Sequence, residues 1–304
     1  MSKILITGAA GFIGSHLYAK LKNDGHEVVG IDNWFHACNH PITTEIKRGS
    51  ILDIELIDEL VKWSDTVFHL AAQIHVDRSI LYPYETAEIN IIGTLNILEA
   101  VRKYNKQMVF ASSSEIYGSS QEEFMNERHP LDAQSPYAAS KVAGDRLCKS
   151  YNDTYKSKVA ILRNFNTFGP YQADTSYGGV IAIFVKNALL NKPLNIFGSG
   201  EQERDYMSVL DAIKGYELCV EKELWGKPIN ISTGKTIKIK TLAEIIKNIT
   251  KSKSNIVNIE PRAGEVQRLC GDNSFARGLG FVSETDFERD LNEYINWYKK
   301  DKKI

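Results

Sequence analysis

Lys3-Ile4-Leu5-Ile6-Thr7-Gly8-Ala9-Ala10-Gly11-Phe12-Ile13-Gly14 is the stretch on which the fold turns. A short, mostly apolar run leads into three glycines spaced three apart, and an amphipathic pattern continues to Asn23. The run predicts a buried strand over Lys3–Thr7, and the pattern predicts a helix over Phe12–Asn23 with Gly25 at its carboxyl end. Gly8, Gly11 and Gly14 then occupy the turn between them. Absent side chains let such a turn close tightly and bring backbone N–H groups close to an anion, which the helix amino terminus stabilises.

Outward from this unit the alternation continues. Strands are expected at Glu27–Ile31, Thr66–Leu70, Gln107–Ser112 and Lys158–Arg163, with helices at Tyr84–Lys103 and Pro136–Tyr155. Strands alternating with helices predict an α/β fold, a Rossmann-type doubly wound parallel sheet. Asp32 ends the second strand, where a carboxylate accepts hydrogen bonds from ribose hydroxyls and repels a 2′-phosphate. The expected cofactor is therefore NAD rather than NADP. The plainer alternative is a tight turn followed by a surface aspartate.

After Arg163 the rhythm changes, with breaks at Gly169-Pro170 and Gly178-Gly179. A helix over Val180–Leu190, strands at Leu194–Phe197 and Ile229–Ser232, and helices near Leu242–Ile249 and Asp286–Lys299 predict a smaller mixed α+β substrate-binding part. The expected division is 1–165 and 166–304, with some later segments returning to the first domain.

Composition narrows the function classes. The chain has 304 residues, 43% hydrophobic and 25% charged, with a formal net charge of -1. That balance gives no field to recruit nucleic acid or a membrane surface. Cys38, Cys148, Cys219 and Cys270 are scattered, which predicts neither a metal site nor a disulfide framework and suits a reducing cytoplasm. The apolar run Ile4-Leu5-Ile6 is too short for a signal core or a membrane span.

Tyr137 and Lys141 lie four apart in Ser135-Pro136-Tyr137-Ala138-Ala139-Ser140-Lys141, so they share a helix face. Ser135 and Pro136 supply a cap and a first turn. A phenol ordinarily titrates near pH ~10, and a lysine cation beside it is expected to bring that value down. Such a pair suits removal of a proton from a sugar hydroxyl. In isolation the pattern also describes an exposed helix face.

Gly8-Ala9-Ala10-Gly11-Phe12-Ile13-Gly14, His69-Leu70-Ala71-Ala72, Ser112-Ser113-Ser114-Glu115-Ile116-Tyr117-Gly118 and the segment around Tyr137 together resemble the extended short-chain dehydrogenases/reductases. More narrowly, they are similar to the NAD-dependent nucleotide-sugar epimerases, dehydratases and decarboxylases. The likeness extends through Arg163–Pro170 and Gly198–Tyr206. It implies a catalytic set of Ser113, Tyr137 and Lys141, and NAD contacts from Gly8, Gly11, Phe12, Ile13, Gly14, Asp32, Asn33, Asp53, Leu70, Ala71 and Ala72, as well as from Tyr137 and Lys141 themselves. Relatives often carry an aspartate after the glycine matching Gly49, where Ser50 stands here. Asp53 also reads as the cap of the following helix. Trp34, Phe35 and His36 are expected as adenine-side aromatics or simple packing.

The resemblance further implies a nucleoside-diphosphate sugar held by Ser114, Asn166, Arg204 and Arg268, with Leu194 and Ile196 flanking the base. Guanidinium groups suit phosphate oxygens, although Glu201, Glu203 and Glu265 offer the two arginines ordinary ion pairs. Both sit in loop-like sequence. A homodimer packed through Tyr84–Lys103 and Pro136–Tyr155 is also implied.

Glu115 bears on the reaction. Simple 4-epimerases of this family usually lack a glutamate there, whereas 4,6-dehydratases and glucuronate-type decarboxylases resemble this chain in having one. Once C4 is a ketone, the C5 proton becomes acidic and a placed carboxylate can remove it. His75-Val76-Asp77-Arg78-Ser79 is similar to a dTDP-glucose 4,6-dehydratase segment, but Ser114 stands where those enzymes place an aspartate. The expected activity is a nucleotide-sugar 4,6-dehydratase. A decarboxylase or a 4-epimerase is the alternative, and a non-catalytic NAD sensor is the reading from another class. His75 reads as a structural residue, Asp77 as a helix cap.

Overall fold

The computed structural model describes residues 1–35, 42–43, 45–175, 178–262 and 264–304, so His36 and Cys38 lie outside the described residues. The strands are β1 (Lys3–Thr7), β2 (Glu27–Asp32), β3 (Ile46–Arg48), β4 (Thr66–His69), β5 (Gln107–Ser113) and β6 (Lys158–Asn164). They continue as β7 (Asn166–Phe168), β8 (Leu194–Phe197), β9 (Glu203–Ser208), β10 (Pro228–Ile231), β11 (Thr236–Lys238), β12 (Ile256–Ile259) and β13 (Arg268–Leu269).

Seven of them form one parallel sheet in the order β10-β6-β5-β4-β1-β2-β3. The order reverses about β1, so a crevice opens at the carboxyl ends of β1 and β4, where ligands of such sheets bind. Ile4 and Ile6 join one buried apolar cluster and Leu5 the other, the alternation of a strand covered on both faces. Each such side chain contributes roughly 1.5–3 kcal/mol by leaving water. β10 and the helix Val209–Glu221 return to this unit, with Val209, Tyr216 and Leu218 packing in the same cluster as Ile4 and Leu17.

The remaining strands build a smaller part: β9 lies between β11 and β13 and also pairs with β7, while β8 pairs with β12. A separate apolar cluster of Phe168, Phe184, Leu194, Ile196, Leu242, Leu291 and Tyr294 supports it. The helices Phe12–Asn23 and Pro136–Tyr155 fall where the sequence places them. The one expected at Tyr84–Lys103 is instead Pro83–Ala87, a π turn over Glu88–Ile92, and Gly93–Lys103. Arg204 and Arg268 lie in strands, not loops. Asp77 sits inside the first turn of Val76–Leu81; the capping side chain is His75, whose Nδ1 accepts from Arg78 N at 3.0 Å. Among the described residues no helix is long and apolar enough to cross a membrane.

Candidate active site

The glycine loop is a cradle with no room for side chains. Gly8 has φ +73°, and a Cβ there would lie 2.7 Å from Ala71 N. A Cβ on Gly14 would lie 2.1 Å from Gly8 O. Asp32 closes the far side: its Oδ2 accepts from Ala10 N at 3.0 Å and its Oδ1 from Trp34 N at 2.8 Å. Burial pushes the Asp32 carboxyl up, opposed by these backbone N–H bonds. Thr7 ties the loop to Leu70-Ala71, its Oγ1 accepting from Ala71 N at 3.2 Å. The cradle fits a dinucleotide pyrophosphate, and Asp32 at the end of β2 is the carboxylate that could hold a ribose. Gly14→Ala is expected to lower NAD affinity at least tenfold while the chain stays folded, read by calorimetric titration with NAD alongside circular dichroism. Unchanged affinity would show that the cradle does not hold the cofactor.

Two expected contacts are engaged otherwise. Asp53 caps the helix Ile54–Trp63, its Oδ1 accepting from Leu56 N at 3.1 Å. Asn33 Oδ1 accepts from Phe35 N at 3.0 Å and so fixes the turn after β2.

Ser113 ends β5, and the 3₁₀ turn Ser114–Tyr117 follows directly. Tyr137 stands in the first turn of its helix, where Ser135 Oγ accepts from Ala138 N at 3.1 Å and Pro136 begins the helix. The Ser113 side chain lies close enough to the Tyr137 hydroxyl to favour its ionised form, and Glu115 lies within electrostatic reach of it. Lys141 is 5% exposed; its Nζ donates to Ala111 O at 2.8 Å and lies 5.0 Å from the Phe110 ring centroid. Burial pushes the lysine down to about 8 and the tyrosine up to about 12. The expected lowering of Tyr137 by Lys141 is thus reversed in the chain alone. Burial raises the phenol, Glu115 adds to the rise, and the effect that opposes them comes from Ser113 and not from Lys141.

Beneath the pair, Thr94 Oγ1 donates to Asn90 O at 2.7 Å, so it accepts from His69 Nε2 at 3.0 Å. His69 Nδ1 then accepts from Thr7 Oγ1 at 2.8 Å. Burial, with the Lys141 charge, holds this imidazole down at about 3, so it is neutral. The His75–Ser79 segment also finds its place: Ser79 Oγ accepts from Tyr137 N at 3.0 Å and docks the tyrosine helix. Arg78 pairs with Glu85 through two bonds of 2.8 and 2.7 Å.

Glu115 is half-buried, and among the described residues no side chain or backbone group bonds its carboxylate. Burial raises it above the usual carboxylate range; Arg204 opposes this and Glu265 adds to it. Arg204, 8% exposed, donates from Nη2 to Glu265 Oε1 at 2.9 Å. Asn166 and Tyr206 are register partners on β7 and β9, and Asn166 Oδ1 and the Tyr206 hydroxyl are both buried without partners among the described residues. Two unpaired polar atoms beside a buried arginine suit a polar ligand.

Arg268 donates from Nε to Glu203 Oε2 at 3.0 Å and from Nη1 to the Glu123 carbonyl, so its ion-pair alternative is the one observed. Leu194 and Ile196 are 0% and 1% exposed inside the apolar cluster, which removes their side chains from any base contact. Asn195 and the partly exposed Phe197 alternate with them on β8. Ser114 is buried. Sequence reading missed Arg262, whose guanidinium lies 3.8 Å from the Phe197 ring centroid and 3.6 Å from Asp77. Its signal was Arg262-Ala263-Gly264-Glu265, a basic residue beside a glycine turn that also delivers Glu265 to Arg204.

Known proteins resemble this chain in sequence and fold. The model of the NAD dependent epimerase/dehydratase family matches residues 4–232. A Methanocaldococcus jannaschii protein named "Putative UDP-glucose 4-epimerase" is 38% identical over 97% of this chain and 98% of its own length. The UDP-N-acetyl-alpha-D-glucosaminuronate decarboxylase of Bacillus cytotoxicus is 32% identical, covering 98% of each. The crystal structure of DesIV, a dTDP-glucose 4,6-dehydratase from Streptomyces venezuelae solved with NAD bound, superposes with a TM-score of 0.92. It is 29% identical and the match covers 99% of this chain and 98% of that one. With the glycine cradle, Asp32 and the Ser113–Tyr137–Lys141 group in place, the chain belongs to the NAD-dependent epimerase/dehydratase family, and its cofactor is NAD.

Proposed function

We propose that this protein is a nucleotide-sugar 4,6-dehydratase. The observation that carries the reading is Glu115: a carboxylate without a hydrogen-bond partner among the described residues, in electrostatic reach of Tyr137 and Arg204. Bound NAD supplies hydride acceptance at C4 and hydride return at C6. Tyr137, as the phenolate that the positive charges of Lys141 and of the bound nicotinamide would favour against burial, takes the proton of the C4 hydroxyl. Glu115 then takes the C5 proton, made acidic by the C4 ketone, and passes it to the departing C6 hydroxyl, which leaves as water; a proton from solvent returns to C5 as hydride reaches C6, balancing the one that Tyr137 took from the C4 hydroxyl. Arg204, Asn166 and Tyr206 hold the diphosphate side of the substrate, with Arg268 and Arg262 as further guanidinium donors that exchange their carboxylate partners for phosphate.

Incubation with UDP-, GDP- and dTDP-hexoses and UDP-glucuronate, followed by mass spectrometry, tests this. Loss of water from a neutral hexose is expected. Loss of carbon dioxide from the glucuronate would assign a decarboxylase, and unchanged mass with a new chromatographic peak an epimerase.

The same reading places the enzyme in the cytoplasm as a homodimer, with Tyr84, Ile92 and Tyr155 exposed on the helices that would meet. Light scattering at micromolar concentration is expected to give twice the chain mass; the mass of one chain would overturn the dimer.

A further inference from the structure

Three elements of the site each have a residue, close in sequence to a functional one, that joins one buried ion pair. Arg163, on β6, is 1% exposed. Its Nε and Nη2 donate to Asp145 Oδ2 and Oδ1 at 2.9 and 3.1 Å. Asp145 lies one helical turn beyond Lys141, and its Oδ2 also accepts from Ser112 Oγ at 3.0 Å, next to Ser113. Arg163 Nη1 donates to the Tyr117 hydroxyl at 2.8 Å and to Glu127 O at 2.9 Å. Tyr117 is fully buried, lies two residues after Glu115, and donates its own proton to Asn230 Oδ1 at 2.7 Å.

The three attachments do not matter equally. Ser112 and Asp145 belong to a regular strand and a regular helix, whose backbone ladders hold them in any case. Glu115 rides on a 3₁₀ turn of four residues. Such turns have poorer hydrogen-bond geometry and hold their own shape weakly. At its front the turn is fixed by Glu115 N donating to Ser113 Oγ at 3.2 Å, and at its back by the bonds of the Tyr117 hydroxyl.

We propose that Arg163, acting through the Tyr117 hydroxyl, is a positioning residue that holds the Glu115 carboxylate at its working distance from the Ser113–Tyr137–Lys141 group. The proposal rests on the reading of Glu115 as the base for the C5 proton. It separates two half-reactions: C4 oxidation needs only the strand and helix residues, whereas proton removal at C5 also needs the turn.

Tyr117→Phe removes one hydroxyl and keeps the ring that fills the core. Arg163 retains Asp145 and the Glu127 carbonyl, so no bare charge is buried. The purified enzyme with bound NAD is given, in heavy water, the nucleotide hexose that it turns over in the panel of UDP-, GDP- and dTDP-hexoses. Reduced-nicotinamide absorbance reports C4 oxidation, and mass spectrometry reports deuterium entering at C5. Tyr117→Phe is expected to slow C5 exchange on the order of tenfold, with C4 oxidation within about twofold of wild type and KM unchanged, since a small misplacement acts on the step that uses the displaced group. Equal slowing of both steps, or C5 exchange at the wild-type rate, would overturn the positioning role alone. Wild type that exchanges nothing at C5, or Glu115→Gln that exchanges normally, would overturn the base assignment and this proposal with it. Lys replacing Arg163, which cannot span Asp145 and Tyr117 with a planar fork, is the second variant and should show the same selective loss.

Discussion

Glu115→Gln is expected to lower dehydration by about 10³-fold while C4 oxidation proceeds, because a missing general base costs typically 10²–10⁴-fold at the step it serves. The amide keeps the shape of the side chain and cannot accept the C5 proton. The wild-type carboxylate is suited to that task because burial, with the Glu265 charge, holds it above the usual range against the opposing Arg204. Its folded value being raised, the basic form is lost as pH falls through a value above the ordinary 4.5. The acid limb of the wild-type rate profile should therefore sit above that ordinary value, and the residual rate of Glu115→Gln should lack the limb. The ketone should accumulate in the variant. The measurement is single-turnover detection of the 4-keto sugar together with product mass. If Glu115→Gln turns over at the wild-type rate, the carboxylate is not a base, and a reaction confined to C4, an epimerisation, becomes the better reading.

What the sequence made legible follows from where backbone chemistry is punctuated. Phe12–Asn23 and Pro136–Tyr155 were readable to the residue because glycines bound the first and Ser135-Pro136 starts the second. The π turn at Glu88–Ile92 was not, since one extra residue in a turn leaves the composition of a helix unchanged. β9 read as a loop because Arg204 and Asp205 break the apolar alternation. Both are buried: Arg204 pairs with Glu265, and Asp205 accepts from Thr233 N at 2.9 Å and Gly234 N at 2.8 Å. A strand with charges satisfied by distant residues cannot be recognised from its own pattern. The site shows the same division. Ser113, Glu115, Tyr137 and Lys141 meet because each lies at or near the end of a regular element. Arg262 and Glu265 escaped notice because a glycine turn delivers them, and only the fold reveals what lies opposite. Leu194 and Ile196 turn their side chains into the core for the converse reason: on a half-buried strand the apolar positions belong to the core.

Lys141→Met should have effects of opposite sign on activity and stability. Activity should fall by about 10²-fold or more, since the variant removes the positive charge that Lys141 carries one turn along the helix from the proton-accepting tyrosine. Stability of the cofactor-free protein at pH 7 should rise. Lys141 is nearly inaccessible, and burial lowers it from an ordinary 10.5 to about 8. A lysine lowered on folding binds its proton more weakly in the native state. Below about pH 8 both states carry the proton, and folding bears the full cost of burying the charge. Between about 8 and 10.5 the native state releases the proton first, so the cost shrinks as pH rises, and above 10.5 it is gone. Methionine fills similar space without a charge, although it gives up the bond to Ala111 O. The net gain expected at pH 7 is about 1–3 kcal/mol, or a rise of a few degrees in Tm. The gain over wild type should fade as the melts are repeated toward pH 10. A variant less stable than wild type at pH 7, or a difference that does not change with pH, would mean that Lys141 contributes to the fold and not only to the chemistry. The predicted outcome would show instead that the fold tolerates a buried cation at a net cost, as expected where a charge is kept for catalysis at the expense of stability.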